Sequence, residues 1–537
     1  MGEPEPAAAR LSDIANGEMK EIKVGETPVL LARVDDRCYA LAAHCTHYGA
    51  PLVEGARVGD RIICPWHHAC FNARNGNLEE PPALDSLANY GIRIEGDEIF
   101  VNVTDPTVDR RTPDMAEAKP EEDPRVFVII GGGAAGYMAA QTLREDGFKG
   151  RVAMITREPH APYDRPNLSK DYLHGHAEPE WIPLRGADFY KQHGIETLSE
   201  REVASVNIEQ KLIAFTDGET LGYDKLLVAT GGIPRRLNVP GADLRNIFTL
   251  RSFDNADEII SAAAGAKRAV VIGAGFIGME AAFSLRERGL EVTVIAPDKV
   301  PFEKILGAEI GQLFLREHEE HGVRFLLGES VTGFEGDELV GKVRLASGRS
   351  VDADLVIVGI GVRPATEILN GLALHSDGGV ITDEFMTIAD SVYAAGDIAH
   401  VPDARTGDYV RIEHWRTALQ QGRIAAHNMA GKPTRYDAVP FFWTTQFGIT
   451  LNYVGHAAEW DDVVIKGDTS AHGFLAYYVK DGKVVAAAGM NRDRELALIE
   501  ELMRLDKMPT LSELGDGSIE LSQASPRTDS SLAQAVL

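Results

Sequence analysis

Two glycine-rich turns, about 140 residues apart, constrain the fold of this chain more than any other feature. Each turn has the pattern G-x-G-x-x-G, follows a strand-like apolar run and opens a helix-like segment. Backbone amides at such a helix start can bind a pyrophosphate, which approaches closely because the side chains are missing. The pair therefore predicts two Rossmann-like dinucleotide-binding units. Their glycines are Gly131, Gly133 and Gly136 in the first turn and Gly273, Gly275 and Gly278 in the second.

The residues around the two turns divide the 537-residue chain into further domains. Before the first turn, short alternating runs punctuated by Gly and Asp predict a small all-β domain. A Pro-rich, charged stretch after it predicts a flexible linker. The last part of the chain predicts a small α+β domain and a polar tail. The predicted ranges are 10–104 (all-β), 105–124 (linker), 125–245 with 372–432 (first dinucleotide unit), 246–371 (second unit), 433–512 (α+β) and 513–537 (tail).

The composition is acidic, and this limits the partners that the protein can have. With 54 basic and 81 acidic residues the formal charge is −27, which disfavours nucleic acid and anionic membranes. This charge either favours a basic or neutral protein partner or only keeps a large protein soluble. The chain has four cysteines, no visible secretory or transit signal and no apolar run long enough for a bilayer. We therefore expect a cytoplasmic protein.

Two cysteines and two histidines lie in two short segments of the all-β domain. Cys45 and His47 stand in the first segment, and Cys64 and His67 stand in the second. Such a set can hold either a zinc ion or a [2Fe–2S] cluster, and the β-rich surroundings favour the cluster over a zinc finger. The segments HCTHYGAPL and CPWHHACF resemble the Rieske ferredoxin signature. This resemblance implies a cluster with two Cys and two His ligands.

Further short motifs accompany the glycine-rich turns. The strand-like VAMIT ends just before Glu158, which is placed to bond an adenosine ribose hydroxyl. The segments PYDRPNLSK, ATGGIPR, YAAGDIA, EHW and FFWTTQ occur further along the chain. In combination they resemble the FAD- and NAD(P)-dependent (pyridine nucleotide-disulfide) oxidoreductases, which include the ferredoxin reductases of ring-hydroxylating oxygenases. With the Rieske segment, nearly the whole chain is similar to the Rieske-containing, apoptosis-inducing-factor-like branch.

The resemblance implies FAD in the first dinucleotide unit and NAD(P)H in the second. Lys170 and Glu280 correspond to a catalytic pair beside the flavin, and an ordinary ion pair is the alternative. Trp443 corresponds to a residue that lines the flavin or nicotinamide face, with plain core packing as the alternative. The other cofactor-binding residues that the resemblance implies are Arg165, Asp397 and His414.

The choice between NADH and NADPH depends on the end of one strand in the second unit. The strand-like VTVI ends at Ala296, where NAD-selective proteins usually carry an acid. Asp298 could replace that acid, whereas Lys299 could attract the 2′-phosphate of NADPH. We expect NADH, and NADPH stays an alternative.

These features predict a multidomain chain in which a small all-β Rieske domain precedes two α/β Rossmann-like domains and an α+β domain. The Rossmann segments contain no cysteine, so the chain has no protein disulfide for a flavin to reduce. The resemblance implies that electrons pass from NAD(P)H through FAD to the [2Fe–2S] cluster and then to a redox partner such as an oxygenase or cytochrome. The alternative is an NADH-responsive regulatory or interaction protein with slow redox turnover. For the oligomeric state, a homodimer is one alternative.

Overall fold

The computed structural model describes residues 7–103, 108–515 and 521 of the chain. Among these residues, no helix is long and apolar enough to cross a bilayer.

The N-terminal domain consists of two antiparallel sheets. Alternation of apolar and polar residues lets each strand turn one face to a shared core, in which Val29, Leu31 and Leu41 are fully buried. In spatial order, the larger sheet comprises Ala9–Arg10, Glu98–Asn102, Asn89–Glu95, Arg37–Ala42, Thr27–Val34 and Met19–Val24. The smaller sheet comprises Ala56–Val58, Arg61–Ile63, Cys70–Asn72 and Leu78–Glu80.

The first dinucleotide unit is built on a six-stranded sheet that is parallel except at one edge. Its central strand, Val126–Ile130, is almost continuously apolar because both faces of the sheet are covered, one by helices and the other by a small antiparallel sheet that includes Val206 and Ile213. In spatial order the strands are Ile195–Leu198, Arg151–Ile155, Val126–Ile130, Lys225–Val228, Val392–Ala394 and Thr387–Ala389. The helices Ala134–Glu145 and Trp415–Ala430 pack against each other on one side of it. Smaller sheets comprise Val203–Asn207, Leu212–Phe215 and Thr220–Gly222, and Val380–Ile381, Ala399–Pro402 and Tyr409–Val410.

The second dinucleotide unit repeats this plan with five parallel strands. In spatial order they are Ile247–Phe248, Leu355–Val358, Arg268–Ile272, Glu291–Ala296 and Arg324–Leu327. The helices of this unit are Phe253–Ala263, Phe276–Glu287 and Glu303–Glu320. An antiparallel sheet of Val331–Glu335, Lys342–Leu345 and Ser350–Asp352 is attached to it.

The C-terminal domain is an antiparallel sheet with helices that follow it. Its strands, in spatial order, are Phe441–Gln446, Ile449–Gly455, Lys483–Met490, Gly473–Lys480 and Asp462–Asp468. The helix Asp493–Arg504 packs on this sheet and also touches the N-terminal domain, where Ala497 and Leu498 share a buried cluster with Ala56 and Val58.

The stretch expected to be a flexible linker differs from that expectation over its described part, residues 108–124. Arg110–Arg111 pairs as a short strand with Ser86–Leu87 of the N-terminal domain. Further along, the Ala116 N–H donates to the Arg144 carbonyl at 2.8 Å, on the first dinucleotide unit. Backbone hydrogen bonds therefore tie this segment to both domains that it joins.

Candidate cofactor and cluster sites

A cavity of about 1070 Å³ lies where the two dinucleotide units and the C-terminal domain meet. The cavity brings together residues that are far apart in the chain. Of the predicted cofactor-binding residues, those lining it are Gly131, Gly133, Glu158, Arg165, Lys170, Gly275, Glu280, Asp397, His414 and Trp443. The other three, Gly136, Gly273 and Gly278, are not among the residues that line the cavity.

The first glycine-rich turn fits a bound pyrophosphate. Gly131 has φ +120°, and a Cβ there would lie 2.1 Å from the Ala229 carbonyl oxygen. At Gly136 a Cβ would lie 1.8 Å from the Gly131 carbonyl oxygen, so this glycine lets the helix approach the strand. By contrast, a Cβ at Gly133 would have no neighbour closer than Arg165 Nε at 4.0 Å. The helix start is thus open to the cavity, as a FAD pyrophosphate requires.

In the second turn, too, two glycines permit close backbone packing and the third leaves the helix start open. A Cβ at Gly273 would lie 2.3 Å from the Gly359 carbonyl oxygen, and one at Gly278 would lie 2.1 Å from the Gly273 carbonyl oxygen. A Cβ at Gly275 would meet nothing within 4 Å. This helix start is also open, which fits the pyrophosphate of a nicotinamide coenzyme.

Glu158 stands just beyond the strand Arg151–Ile155, as predicted, and its carboxylate is held in place. Arg165 Nη2 donates to Glu158 Oε1 at 2.6 Å, and the Tyr163 hydroxyl donates to Oε2. Burial opposes ionisation of Glu158, but the Arg165 guanidinium outweighs it and lowers the pKa of this carboxyl. The group is therefore an anionic acceptor inside the cavity.

The structure forms the predicted pair between Lys170 and Glu280. Lys170 Nζ donates to Glu280 Oε2 at 2.8 Å, and both residues line the cavity. Ser169 Oγ also donates to Oε2, at 2.6 Å, and Thr444 Oγ1 donates to Oε1 at 2.8 Å. Three donors thus hold a carboxylate that is only 2% exposed. Sequence reasoning missed Ser169 and Thr444, although they directly adjoin Lys170 and Trp443 in the recognised segments.

Asp397 and His414 also line the cavity. Asp397 Oδ2 accepts from Arg251 Nη2 at 2.7 Å. Arg251 was not predicted, and no motif around it would have indicated it. The His414 ring stacks on Phe442 at 4.4 Å, and burial lowers its pKa to about 4, so this imidazole is neutral.

The four predicted cluster ligands converge in the N-terminal domain. Cys45 and Cys64 are buried, and the Nδ1 atoms of His47 and His67 lie 3.1 Å apart. Burial lowers the pKa of His47 to about 3 and that of His67 well below its usual value. Neutral imidazoles facing each other beside two thiols are the donor set that a Rieske [2Fe–2S] cluster needs. The residues present therefore fit this cluster.

Two similar loops present these ligands. The Cys45 N–H donates to the Ala50 carbonyl at 2.8 Å, and the Cys64 N–H donates to the Ala69 carbonyl at 2.9 Å. Each loop has a left-handed residue four positions after its cysteine. This residue is Gly49 in the first loop, with φ +79°, and a histidine in the second.

That histidine, His68, connects the cluster loop to the C-terminal domain. It has φ +57°, is fully buried, and pairs through Nδ1 with Glu500. Arg416, only 1% exposed, binds Glu500 Oε1 at 2.6 Å and Glu80 Oε2 at 3.0 Å. Burial opposes ionisation of Glu80, but Arg61 and Arg416 outweigh it and lower its pKa to about 2. A buried ionic network thus fastens the N-terminal domain to the rest.

Trp443 lies between the cluster ligands and the cavity. Its ring centroid is 4.2 Å from that of His67, while the same residue lines the cavity. A second contact is made by Tyr48, which stacks on His47 at 4.0 Å and donates its hydroxyl to Asp164 of the first dinucleotide unit. Sequence reasoning predicted Trp443 at the cavity but not its contact with His67.

Two dinucleotide units around one cavity, with a cluster-binding domain docked against it, define a flavin- and cluster-dependent class of protein. The family described as "Pyridine nucleotide-disulphide oxidoreductase" matches residues 125–422, and the chain belongs to this family. "Rieske [2Fe-2S] domain" matches residues 5–91, and "Reductase C-terminal" matches residues 441–525.

Individual relatives agree with these matches. The chain is 38% identical to apoptosis-inducing factor 3 of Homo sapiens, over 93% of this chain and 84% of the relative. It is 37% identical to the 5,5'-dehydrodivanillate O-demethylase ferredoxin reductase subunit of Sphingobium sp., over 71% of this chain and 94% of that one. Among solved structures, a ferredoxin reductase of Rhodopseudomonas palustris has a TM-score of 0.71 and 33% identity, covering 75% of this chain and 100% of its own. The covalent putidaredoxin reductase–putidaredoxin complex also has a TM-score of 0.71, with 31% identity over 76% of this chain and 99% of the matched chain.

The chain is thus an FAD-dependent NAD(P)H oxidoreductase of the ferredoxin reductase type, fused to a Rieske [2Fe–2S] domain. This confirms the predicted fold class and the predicted cofactors FAD, NAD(P)H and [2Fe–2S] cluster. It also decides between the two readings of the Cys and His set, in favour of the cluster over zinc.

Proposed function

We propose that this chain takes electrons from NAD(P)H at the flavin cavity, passes them to its own Rieske domain and delivers them to a separate redox partner protein. The observation that carries the proposal is the contact of Trp443 with both the cavity and His67. This ring therefore adjoins both sites.

The cofactors supply the redox chemistry, while the chain binds and orients them. When bound, FAD would supply both hydride acceptance from NAD(P)H and one-electron transfer, which suits a one-electron [2Fe–2S] cluster. Lys170, held by Glu280, keeps a positive charge at the cavity, where it would stabilise developing negative charge. Glu158 and Asp397 would accept hydrogen bonds from hydroxyls of FAD. Arg165 lies beside the open helix start and would face the pyrophosphate.

Cys45, His47, Cys64 and His67 would hold the cluster, with both imidazoles on the side that faces Trp443. Burial keeps these imidazoles neutral, which leaves each ring a nitrogen lone pair that could bind iron. Of the two proposed histidine ligands, His67 is nearer to Trp443: the ring centroids are 4.2 Å apart, against 6.5 Å for His47.

An anaerobic titration with NADH, followed by absorbance and low-temperature EPR, tests the internal route. We expect the flavin band to bleach and a Rieske-type signal to appear in the same protein. In Trp443→Leu, bleaching should persist while the cluster signal appears at least about tenfold more slowly. Trp181→Leu is the matched control, because Trp181 is 68% exposed and outside the cavity lining. Bleached flavin beside a cluster that stays oxidised in the unaltered protein would refute the internal route.

For the coenzyme, we propose NADH rather than NADPH. Asp298 follows the strand that ends at buried Ala296, and its carboxylate lies 3.4 Å from Lys304 Nζ. An acid in this position repels a 2′-phosphate. The ratio of kcat/KM for NADH to that for NADPH should exceed one and fall in Asp298→Ala, and an unchanged ratio would refute the assignment.

The acceptor that we propose is a basic or neutral redox protein in the cytoplasm, such as an oxygenase component or a cytochrome. The net charge of −27 and the use of two of only four cysteines as cluster ligands support this view. The similarity to apoptosis-inducing factor 3 favours a second candidate, an NADH-responsive regulatory protein. Dimerisation on addition of NADH, measured by sedimentation, together with slow reoxidation would favour that candidate over the reductase.

A further inference from the structure

A compact turn outside the flavin cavity brings together a carboxylate and two imidazoles. The residues are Asp171, His174 and His176, within the segment DYLHGH. One ligand atom from each lies within 4.8 Å of the others. We propose that this turn binds a divalent transition-metal ion of the zinc class.

The backbone explains why the three side chains meet. The short helix Asp171–His174 ends at Gly175, which is left-handed with φ +93°. The N–H groups of His176 and Ala177 then both donate to the Asp171 carbonyl, at 2.8 and 3.0 Å. The chain folds back on itself, so His176 returns beside the residue that began the helix.

His174 is the strongest indication of a ligand. Its side chain is 6% exposed, yet among the described residues Nδ1 has no hydrogen-bond partner and Nε2 has only the Asp171 carboxylate, at 3.2 Å. A buried polar group without a partner costs free energy unless another ligand satisfies it. The edge of the ring packs against Phe283 at 5.2 Å, which fixes its orientation.

The distance between two of the groups matches coordination. His174 Nε2 lies 3.2 Å from Asp171 Oδ1. Two ligands at about 2.0–2.1 Å from a tetrahedral ion are separated by about 3.3 Å. One carboxylate with two neutral imidazoles is a donor set that zinc, copper and nickel bind well. The Asp171 side chain is 60% exposed, which leaves the ion an entry path.

A second His and Asp cluster provides a comparison within the chain. Asp377 there lies between His375 and His400, at 3.0 and 2.9 Å. Its carboxylate also accepts from Arg411 Nε at 2.6 Å and from the Gly379 N–H at 3.0 Å. A cation would have to compete with a guanidinium already in place. In the turn 171–176, by contrast, the described residues place no guanidinium and no backbone N–H on the Asp171 carboxylate, whose close neighbour is His174 Nε2 at 3.2 Å.

The test measures zinc binding by the holoprotein, with flavin and cluster loaded. After dialysis against a chelator, the protein is equilibrated with zinc chloride at micromolar concentrations, and bound zinc is counted by mass spectrometry. We expect one zinc ion per chain. Asp171→Asn and His176→Asn, which alter exposed side chains, should each weaken the binding at least tenfold.

His375→Asn is the matched control and should leave zinc binding unchanged, because it alters only the second cluster. Flavin and cluster absorbance, measured for every variant, shows that the fold is kept. The proposal is overturned if the unaltered holoprotein retains no zinc, or if it binds zinc equally well with Asp171 or His176 replaced.

Discussion

At the scale of single residues, Glu280 shows what a motif can and cannot predict. The segment that contains it indicated a pair with Lys170, and the structure forms that pair at 2.8 Å. The motif gave no sign that Ser169 and Thr444 would also donate to the same carboxylate. Such donors come from other elements, and their identity follows from packing rather than from sequence spacing.

Glu280→Gln should slow reduction of the flavin by NADH by roughly 10- to 100-fold, since the change removes the anion that positions Lys170 while keeping the shape of the side chain. Stopped-flow absorbance at the flavin band measures the rate. Glu287→Gln, on the exposed side of the same helix, is the control and should react like the unaltered protein. Equal rates in all three proteins would mean that the pair is only structural.

At the scale of elements, the glycine-rich turns were predictable and the segment after the β domain was not. The turns place strand, glycines and helix within about 20 residues, so local sequence determines them. Residues 108–124 have the composition of a flexible linker, but partners distant in the chain hold them: Leu87 across a strand pair and Arg144 at the end of a helix. Composition indicates only the conformations that a segment prefers in isolation. It could not predict these backbone hydrogen bonds, because their partners are distant in the chain.

The contact between Tyr48 and Asp164 also joins two elements, and it makes stability depend on pH. Burial raises the pKa of Asp164 to about 6 from 3.8, against the opposing hydrogen bond from Tyr48. The folded protein therefore holds this proton more tightly than the unfolded chain does, so stability falls as pH rises from about 4 through 6. Because the group keeps some contact with solvent, we expect a loss of about 1–2 kcal/mol.

Thermal unfolding midpoints between pH 4 and 7 measure this dependence. Asp164→Asn keeps an acceptor for Tyr48 but has no proton to lose, so its midpoint should fall less than that of the unaltered protein over this range. Asp188→Asn, at an exposed position, is the control. Parallel curves for the unaltered protein and Asp164→Asn would contradict the prediction.

At the scale of the whole molecule, the N-terminal domain is docked and does not depend on a long swing to reach the cavity. Arg61 and Arg416 bind the carboxylates of Glu80, Glu500 and Glu501, and His68 also contacts Glu500. These residues lie up to 440 positions apart. No local pattern indicates such pairing, which is why the sequence predicted the domains but not their fixed arrangement.

Arg416→Met should weaken this docking strongly. The arginine is 1% exposed and binds Glu500 and Glu80 together, so its loss leaves the buried Glu500 and the partly buried Glu80 without their shared cation. Breaking such a pair costs about 3–5 kcal/mol. We expect a lower thermal midpoint and faster proteolytic cleavage between the N-terminal domain and the first dinucleotide unit. Arg435→Met, at a side chain that is 72% exposed, is the control.

The same variant separates docking from flavin chemistry. Lys170 and Glu280 lie outside the altered network, so NADH should still bleach the flavin of Arg416→Met at an unaltered rate. The cluster should be reduced more slowly, because the contact between His67 and Trp443 exists only while the domain is docked. If cluster reduction kept its speed although proteolysis showed the domain released, electrons would reach the cluster without the docked arrangement. The fixed contact would then not be the route that the chain uses.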